Sequence, residues 1–429
     1  MISRFLLNSS EISELKLGLI DYSRNCDYAC ILDSHSDIFG ASVFPTINYD
    51  LVAGFGYNGV NEVIACYEDL EFIDSSNDHW LLGYLGYDLK NRIEQLDSAN
   101  ADYLHWPEVF FFHPEIMYLL NGSELTIISD KPQKNFFPES SRQDSGIVTD
   151  FSLELKPRIS KEEYIRQVSK IKRHIQLGDI YEINYCQEFY DNRTIDPYSY
   201  YKYLKTFSPS PFSAFFKYYS NYLISASPER FLQKKGNLLI SQPIKGTASR
   251  SGDLKKDQKF KFDLENSVKE RSENIMIVDL VRNDLSRLAI PNTVKVEELC
   301  SIHAFPQVYQ MISTVSAEIM DCPFRDIIQA TFPMGSMTGA PKIAAMKLAE
   351  RYEQTRRGLY SGAVGYIAPS MDFDFNVVIR SLQYNSKNRY LSYMTGSAIT
   401  ALSIAENEYH ECLLKAYGLN KKYNTFNYA

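Results

Sequence analysis

Strand-like and helix-like segments in this chain come in blocks and do not alternate, and this restricts the fold more than any other feature. Residues 1–130 are rich in Tyr, Phe and short apolar runs. Ala29 to Ser34 (ACILDS), Trp80 to Tyr87 (WLLGYLGY) and Val109 to His113 (VFFFH) predict strands. A polar stretch with Pro and Ser follows, so 131–154 is the expected linker or surface loop. Ser160 then opens a helix, with Glu163 placed to complete a capping box and Gly178 to close it. Ile165, Val168, Ile171 and Ile175 give that helix its apolar face. Strands resume at Tyr181. Tyr222 to Ser225 and Asn237 to Ser241 predict a hairpin turning at Lys234-Lys235-Gly236. Helix is expected from about Leu254 to Leu288, from Pro341, and from about Ala405. Such blocks imply α+β architecture rather than βαβ units. With 429 residues, 45% of them hydrophobic, the chain can build one intertwined unit or two domains.

The formal charge of -8 and the absence of a polybasic run exclude nucleic acid as an expected partner. An anionic substrate would need local cations or a metal against this background. The seven cysteines are scattered without a CxxC pair, which argues for a reducing compartment and against a disulfide framework or a zinc site. No apolar run approaches the ~18–20 residues of a membrane span. The opening MISRFLLNSSEISEL has only a short apolar stretch, so no signal peptide is expected. These features together predict a soluble, cytoplasmic protein with no membrane partner.

Four constellations could carry chemistry. In Pro243-Ile244-Lys245-Gly246-Thr247 a lysine stands between an apolar residue and a glycine, just past the second strand of the expected hairpin. It is either a surface lysine in a turn or an amine presented to a ligand; as a nucleophile it would need its pKa pushed toward neutrality. Glu270 with Glu273, and Glu408 with Glu411, share a spacing of three, which puts each pair on one helix face. They are two solvated faces or the oxygen ligands of a hard divalent cation such as Mg²⁺. Gly335 to Lys342 (GSMTGAPK) is a small loop entering a helix, a plain cap or an anion site. Arg357 to Gly362 (RGLYSG) leads into a strand, and Arg380 ends the run DFNVVIR, where a guanidinium can be structural or can clamp a carboxylate.

Taken in order, these segments resemble one family, the chorismate-utilising enzymes. The resemblance rests on SASPERF (225–231), PIKGT (243–247), ENIMIVDLVRND (273–284), GSMTGAPK (335–342), RRGLYSGAVGYI (356–367), DFNVVIRSL (374–382) and EYHECLLKA (408–416). It is dense over 155–420 and looser in the N-terminal third, through ILDS (31–34) and LLGYLGYDL (81–89). The resemblance implies a large antiparallel β-sandwich of two sheets with helices outside, like anthranilate synthase component I. A catalytic region, 155–420, would be intertwined with the N-terminal region, 1–130, and the site would lie between the sheets.

Within the family, anthranilate synthase large subunits carry alanine where Lys245 stands, and the lysine resembles the aminodeoxychorismate synthase component I branch. The resemblance implies that Lys245 adds to C2 of chorismate as the C4 hydroxyl leaves. Ammonia then enters at C4 and expels the lysine, giving 4-amino-4-deoxychorismate, a precursor of p-aminobenzoate and folate. By the same resemblance Glu229 is the general acid, and Glu270, Glu273, Glu408 and Glu411 hold Mg²⁺. Tyr360, Arg380 and Lys415 contact the substrate carboxylates; Ser336, Thr338, Gly339 and Gly396 belong to the substrate-binding surface. No segment resembles a glutamine amidotransferase, so a separate glutaminase subunit is the expected ammonia source. Anthranilate or isochorismate synthesis, or chorismate binding without catalysis, are the alternatives.

Two positions depart from the family pattern. Gln310 stands where anthranilate synthases carry a histidine, and an amide cannot transfer a proton at neutral pH. Leu402 stands where an aspartate is usual, which puts the local turn in question more than the chemistry. The inhibitor-binding LLES sequence of anthranilate synthases is replaced by Leu32-Asp33-Ser34, so strong tryptophan feedback is not expected.

Overall fold

The apolar runs pair into two large sheets in the computed structural model, which describes residues 1–39, 48–59, 63–75, 78–130, 135, 153–306 and 308–417. In the first sheet the order is Ile2–Leu6, Glu124–Ser129, Ile116–Asn121, Leu51–Gly56, Tyr28–Asp33, Phe212–Tyr218, Asn221–Ser227, Ser381–Asn385, Tyr390–Ile399, Glu182–Asn192 and Gly339–Ala340. Lys156–Pro157 adds to Glu182–Asn192. The second sheet runs from Ile244–Ser249 through Val308–Glu318, Leu238–Gln242, Arg230–Lys235, Phe373–Val377, Ala363–Ile367, Leu81–Leu85 and Val109–Phe112 to Val63–Ile64. Lys295–Ala304 also pairs with Val308–Glu318.

Segments from before and after 131–154 share both sheets. Tyr28–Asp33 pairs antiparallel with Phe212–Tyr218, and Leu81–Leu85 with Ala363–Ile367. The expected linker itself lies almost wholly outside the described residues.

The sheets meet through an aromatic interior, where Tyr28, Val52 and Phe216 of the first pack with Tyr84, Phe110 and Val364 of the second. Helices cover the outer faces. Ser9–Tyr22 and Pro197–Phe207 bury Leu19 and Leu204 on the first sheet. Val268–Ser286 and Phe324–Thr331 bury Ile277 and Ile327 on the second. Lys161–Leu177, Lys342–Tyr352 and Ala405–Tyr417 pack together over Glu182–Asn192 and Tyr390–Ile399. The expected α+β fold of two antiparallel sheets with outer helices is therefore the one adopted. Among the described residues no helix is long and apolar enough to cross a membrane.

Three local expectations need correction. Tyr222–Ser225 is not the hairpin partner of Asn237–Ser241. It belongs to Asn221–Ser227 in the first sheet, and Arg230–Lys235 is the strand that turns back at Gly236, whose φ of 57 suits glycine. The helix expected over 254–288 is two helices, Leu254–Glu265 and Val268–Ser286, because Ser267 turns out of helical geometry to accept a bond from the Glu270 N–H at 3.3 Å. At Ser160 half of the capping box forms. Its hydroxyl accepts from the Glu163 N–H at 3.2 Å, while the Glu163 carboxylate is taken by Arg166 and Gln167 on the next turn.

Candidate active site

Two short crossings between the sheets create the site. Pro228-Glu229 carries the chain from Asn221–Ser227 to Arg230–Lys235, and Val378 to Arg380 carries it back from Phe373–Val377 to Ser381–Asn385. The crossings are bonded to each other: Val377 N–H donates to Glu229 O at 2.9 Å, and Ala226 N–H to Arg380 O at 3.1 Å. The Ser227 hydroxyl closes the seam on Val377 O at 2.6 Å. Glu229 and Arg380 are thereby placed beside one another on the wall of a cleft of about 680 Å³.

Lys245 reaches the same cleft from within a strand, not from beyond one. Leu238–Gln242 and Ile244–Ser249 run end to end along Val308–Glu318, with Pro243 between them. Ile244 opposes Ile312 and Thr247 opposes Gln310, so the ladder holds one extra residue at Lys245-Gly246. Such a bulge re-aims a side chain, and Gly246, at φ 92, takes up the left-handed step. A Cβ on Gly246 would stand 3.2 Å from Glu270 Cβ. Lys245 Nζ donates to Glu182 Oε1 at 3.2 Å. Burial pulls its pKa down, but the Glu182 and Glu273 carboxylates outweigh burial and hold it above the ordinary lysine range. This is opposite to the depression that a resting amine nucleophile requires.

Glu229 is 3% exposed, and burial pushes its carboxyl up to about 7, against the opposing pulls of the Ser336 hydroxyl, the Lys245 ammonium and the Ile244 N–H. A group half protonated near neutrality is suited to giving up a proton at working pH. Gln310 also lines the cleft, buried, with its Oε1 unpaired; it can donate a hydrogen bond but no proton.

The four paired glutamates all line the cleft, two from Val268–Ser286 and two from Ala405–Tyr417. Lys269 Nζ stands 3.4 Å from Glu408 Oε1 and 3.9 Å from Glu273 Oε1. Lys415 holds Glu411 at 2.6 Å. As they stand, no three metal-ligating side chains among the described residues close on one point. Yet the buried Glu273 Oε1 and Glu408 Oε2 lack hydrogen-bond partners, and burial raises the Glu273 carboxyl to about 7, with Glu270 adding repulsion. Buried carboxylate oxygens without hydrogen-bond partners, facing one cavity, suit a hard divalent cation.

Ser336, Tyr360, Arg380, Gly396 and Lys415 also line the cleft. Lys415 Nζ donates to Gly396 O at 2.7 Å, and a Cβ on Gly396 would meet Cys186 Sγ at 2.6 Å. Thr338 and Gly339 do not line it. The Thr338 hydroxyl is spent on Met334 O and Gly335 O, both at 3.2 Å. Gly339, at φ 144, lets its segment press on the strand at Glu182, where a Cβ would stand 2.2 Å from Glu182 O. Leu402 is exposed, and the Ser403 hydroxyl holds the turn instead, accepting from Thr400 N–H at 3.1 Å and donating to Ala398 O at 3.2 Å.

One residue behind the cleft wall escaped the sequence reading, and Arg357 entered it only within the run 356–367, without a role. Glu182, 1% exposed, opens a buried strand, and a charged residue in that place was its only signal. Arg357 is buried and ties the cleft walls together. It donates to Glu353 at 2.6 and 2.9 Å, to Met337 O at 2.8 Å, to Asn184 O at 2.9 Å and to Ser361 Oγ at 3.1 Å.

The family model described as chorismate binding enzyme matches residues 40–421. The chain is 31% identical to aminodeoxychorismate synthase component 1 of Bacillus subtilis (strain 168), over 79% of this chain and 76% of that protein. It is 32% identical to the protein of the same name from Escherichia coli (strain K12), over 83% and 78%. In fold it is similar to anthranilate synthase component I from Streptococcus pneumoniae TIGR4, with a TM-score of 0.72, 23% identity, and coverage of 97% of this chain and 92% of that one. A match spanning most of the chain, with the cleft residues inside it, shows that the chain belongs to the chorismate binding enzyme family, as an enzyme of the aminodeoxychorismate and anthranilate synthase component I type.

Proposed function

We propose that this enzyme replaces the C4 hydroxyl of chorismate with an amino group, as the synthase component of aminodeoxychorismate formation. The observation that carries the proposal is a lysine, Lys245, and a buried acid, Glu229, on the wall of one cleft. Lysine can split one hard displacement into two easier ones by forming a covalent intermediate. In the first step Lys245 Nζ bonds to C2, the ring double bonds shift, and the C4–O bond breaks. Glu229 protonates the departing hydroxyl, which leaves as water. In the second step ammonia bonds to C4, the double bonds shift back, and the C2–N bond breaks to release Lys245. The Glu229 carboxylate then takes the proton shed by the new C4 ammonium and is restored.

Tyr360, Arg380 and Lys415 would orient the substrate carboxylates. Glu270, Glu273, Glu408 and Glu411 would hold Mg²⁺, which when bound supplies positive charge against the ring carboxylate. A glutaminase subunit would supply the ammonia, feeding p-aminobenzoate and folate synthesis.

The test is product analysis by mass spectrometry with chorismate, Mg²⁺ and ammonium salt. The expected product is 4-amino-4-deoxychorismate, and Lys245→Ala should abolish it. Anthranilate or isochorismate as product would refute amination at C4, and undiminished C4 amination by K245A would remove the lysine from the chemistry.

A further inference from the structure

An ammonium has no lone pair, so Lys245 must lose a proton before it can bond to carbon. Its surroundings raise that requirement, because they stabilise the charged form. The ionisable groups that act on it most strongly are Glu182, Glu273 and Glu229, and Glu270 and Glu411 interact with it as well. Glu229 is committed to the leaving hydroxyl. Glu273 faces Lys269 and the other cleft carboxylates. Glu182 alone of the three is hydrogen-bonded to Nζ, at 3.2 Å, and its other oxygen, Oε2, is buried without a partner. It does not line the cleft; it stands behind Lys245, at the start of Glu182–Asn192. Its backbone is clamped there by Gly339–Ala340, which packs so closely that only glycine fits at 339.

We infer that Glu182 is the positioning residue of Lys245, holding the ammonium at the cleft wall and accepting its proton as the amine adds to the ring. The inference rests on the reading of Lys245 as nucleophile. Before attack the pair is ammonium and carboxylate; proton transfer along the existing hydrogen bond makes it amine and carboxylic acid. The ion pair is the resting form, and moving the proton within the pair removes two buried charges at once, which burial favours. The Nζ–C2 bond then forms from the freed lone pair. When C2–N later breaks, the electron pair returns to nitrogen and Glu182 gives its proton back. The proton never leaves the pair, so no net exchange with solvent is needed at Lys245.

This has a consequence that a purely structural role would not share. In Glu182→Gln the lysine must shed its proton to solvent, while Glu273 and Glu229 still face it and favour the ammonium. Its reactive fraction then grows tenfold with each pH unit below its pKa. In the native enzyme the Lys245–Glu182 pair is neutral overall and adds no such slope. Glu229 and Glu273 titrate in both proteins, so their contributions largely cancel in the ratio of the rates.

The experiment is the initial rate of chorismate consumption by the full chain, with Mg²⁺ and ammonium salt, from pH 6 to 9. Wild type, E182Q, E182A and K245A are compared. We expect E182Q to be slower by ~10²-fold or more at pH 7, the size of a general acid–base contribution. We expect the wild-type to E182Q ratio to shrink about tenfold per pH unit. E182A carries the same expectation without a buried amide, should E182Q not fold. A ratio independent of pH, with K245A inactive, overturns the proton-accepting role and leaves the nucleophile reading intact. K245A at the wild-type rate overturns both.

Discussion

Replacing Arg357 by alanine should unfold this protein far more readily than an ordinary surface change. The guanidinium is 1% exposed and makes five hydrogen bonds, two of them to Glu353, itself 5% exposed. It also lies 4.3 Å over the Tyr87 ring. Alanine would strand the Glu353 carboxylate, leaving it the Cys186 N–H at 3.0 Å among the described residues. Breaking a buried ion pair from one side costs about 3–5 kcal/mol. With a urea m-value above the ~1–3 kcal/mol/M of small proteins, about 5 for a chain of this size, the unfolding midpoint should fall by roughly 0.6–1 M. Circular dichroism across a urea series reads this directly. Arg357→Lys should fall between, since it keeps the charge but not the planar fork. The paired change Arg357→Met with Glu353→Leu should recover much of the loss, because it leaves no lone buried charge. An R357A midpoint within ~0.3 M of wild type would refute the reasoning, since ~3 kcal/mol cannot hide in so small a shift. Because Arg357 bonds the backbone of Asn184 and Met337, both on the cleft wall, any R357A that does fold should also bind substrate poorly.

Three further outcomes concern the cleft and the segment packed behind it. The Glu229 carboxyl titrates at about 7 and acts in its protonated form, so kcat/KM should fall about tenfold per pH unit above that value. Glu229→Gln should remove this limb along with most of the activity, and an unchanged alkaline limb in E229Q would assign it to another group. Glu273→Gln removes one of the cleft carboxylates, so Mg²⁺ affinity measured by titration calorimetry should drop at least about tenfold; an unaltered affinity takes Glu273 out of the metal set. Gly339→Ala drives a Cβ to 2.2 Å from Glu182 O at a φ of 144, so thermal stability should fall by at least the ~1–3 kcal/mol of such strain. A wild-type melting temperature in G339A would show that the two segments can separate at no cost.

Much of the candidate site was legible because its residues sit in short, contiguous runs. Lys245 in PIKGT, Glu229 in SPERF and the glutamates at spacing three each announce a side chain and its local presentation. Spacing of three fixes one helix face whatever the fold, so both pairs could be recognised before their helices were seen to face one cleft. Thr338 and Gly339 show the limit of the same approach. They stand in the run that supplies Ser336, yet one spends its hydroxyl on its own loop and the other exists to let two segments touch. Which residues of a loop face the ligand depends on the twist of that loop, and no run of letters specifies it.

The sequence by itself determined the classes of element, the α+β class and the identity of the groups available for chemistry, and the two antiparallel sheets were what its resemblance to a family implied. Those follow from local periodicity, caps and turns, and from the order of motifs along the chain. Only the tertiary structure decided which charges meet. Lys245 and Glu182 are 63 residues apart and lie in different sheets, and their pairing reverses the expected direction of the lysine's pKa shift. Glu229 owes its raised pKa to burial at a sheet crossing, not to its neighbours in SPERF. Electrostatic interactions act through space across a low-dielectric interior, so the protonation states on which this chemistry depends are set by distance and burial rather than by position in the chain.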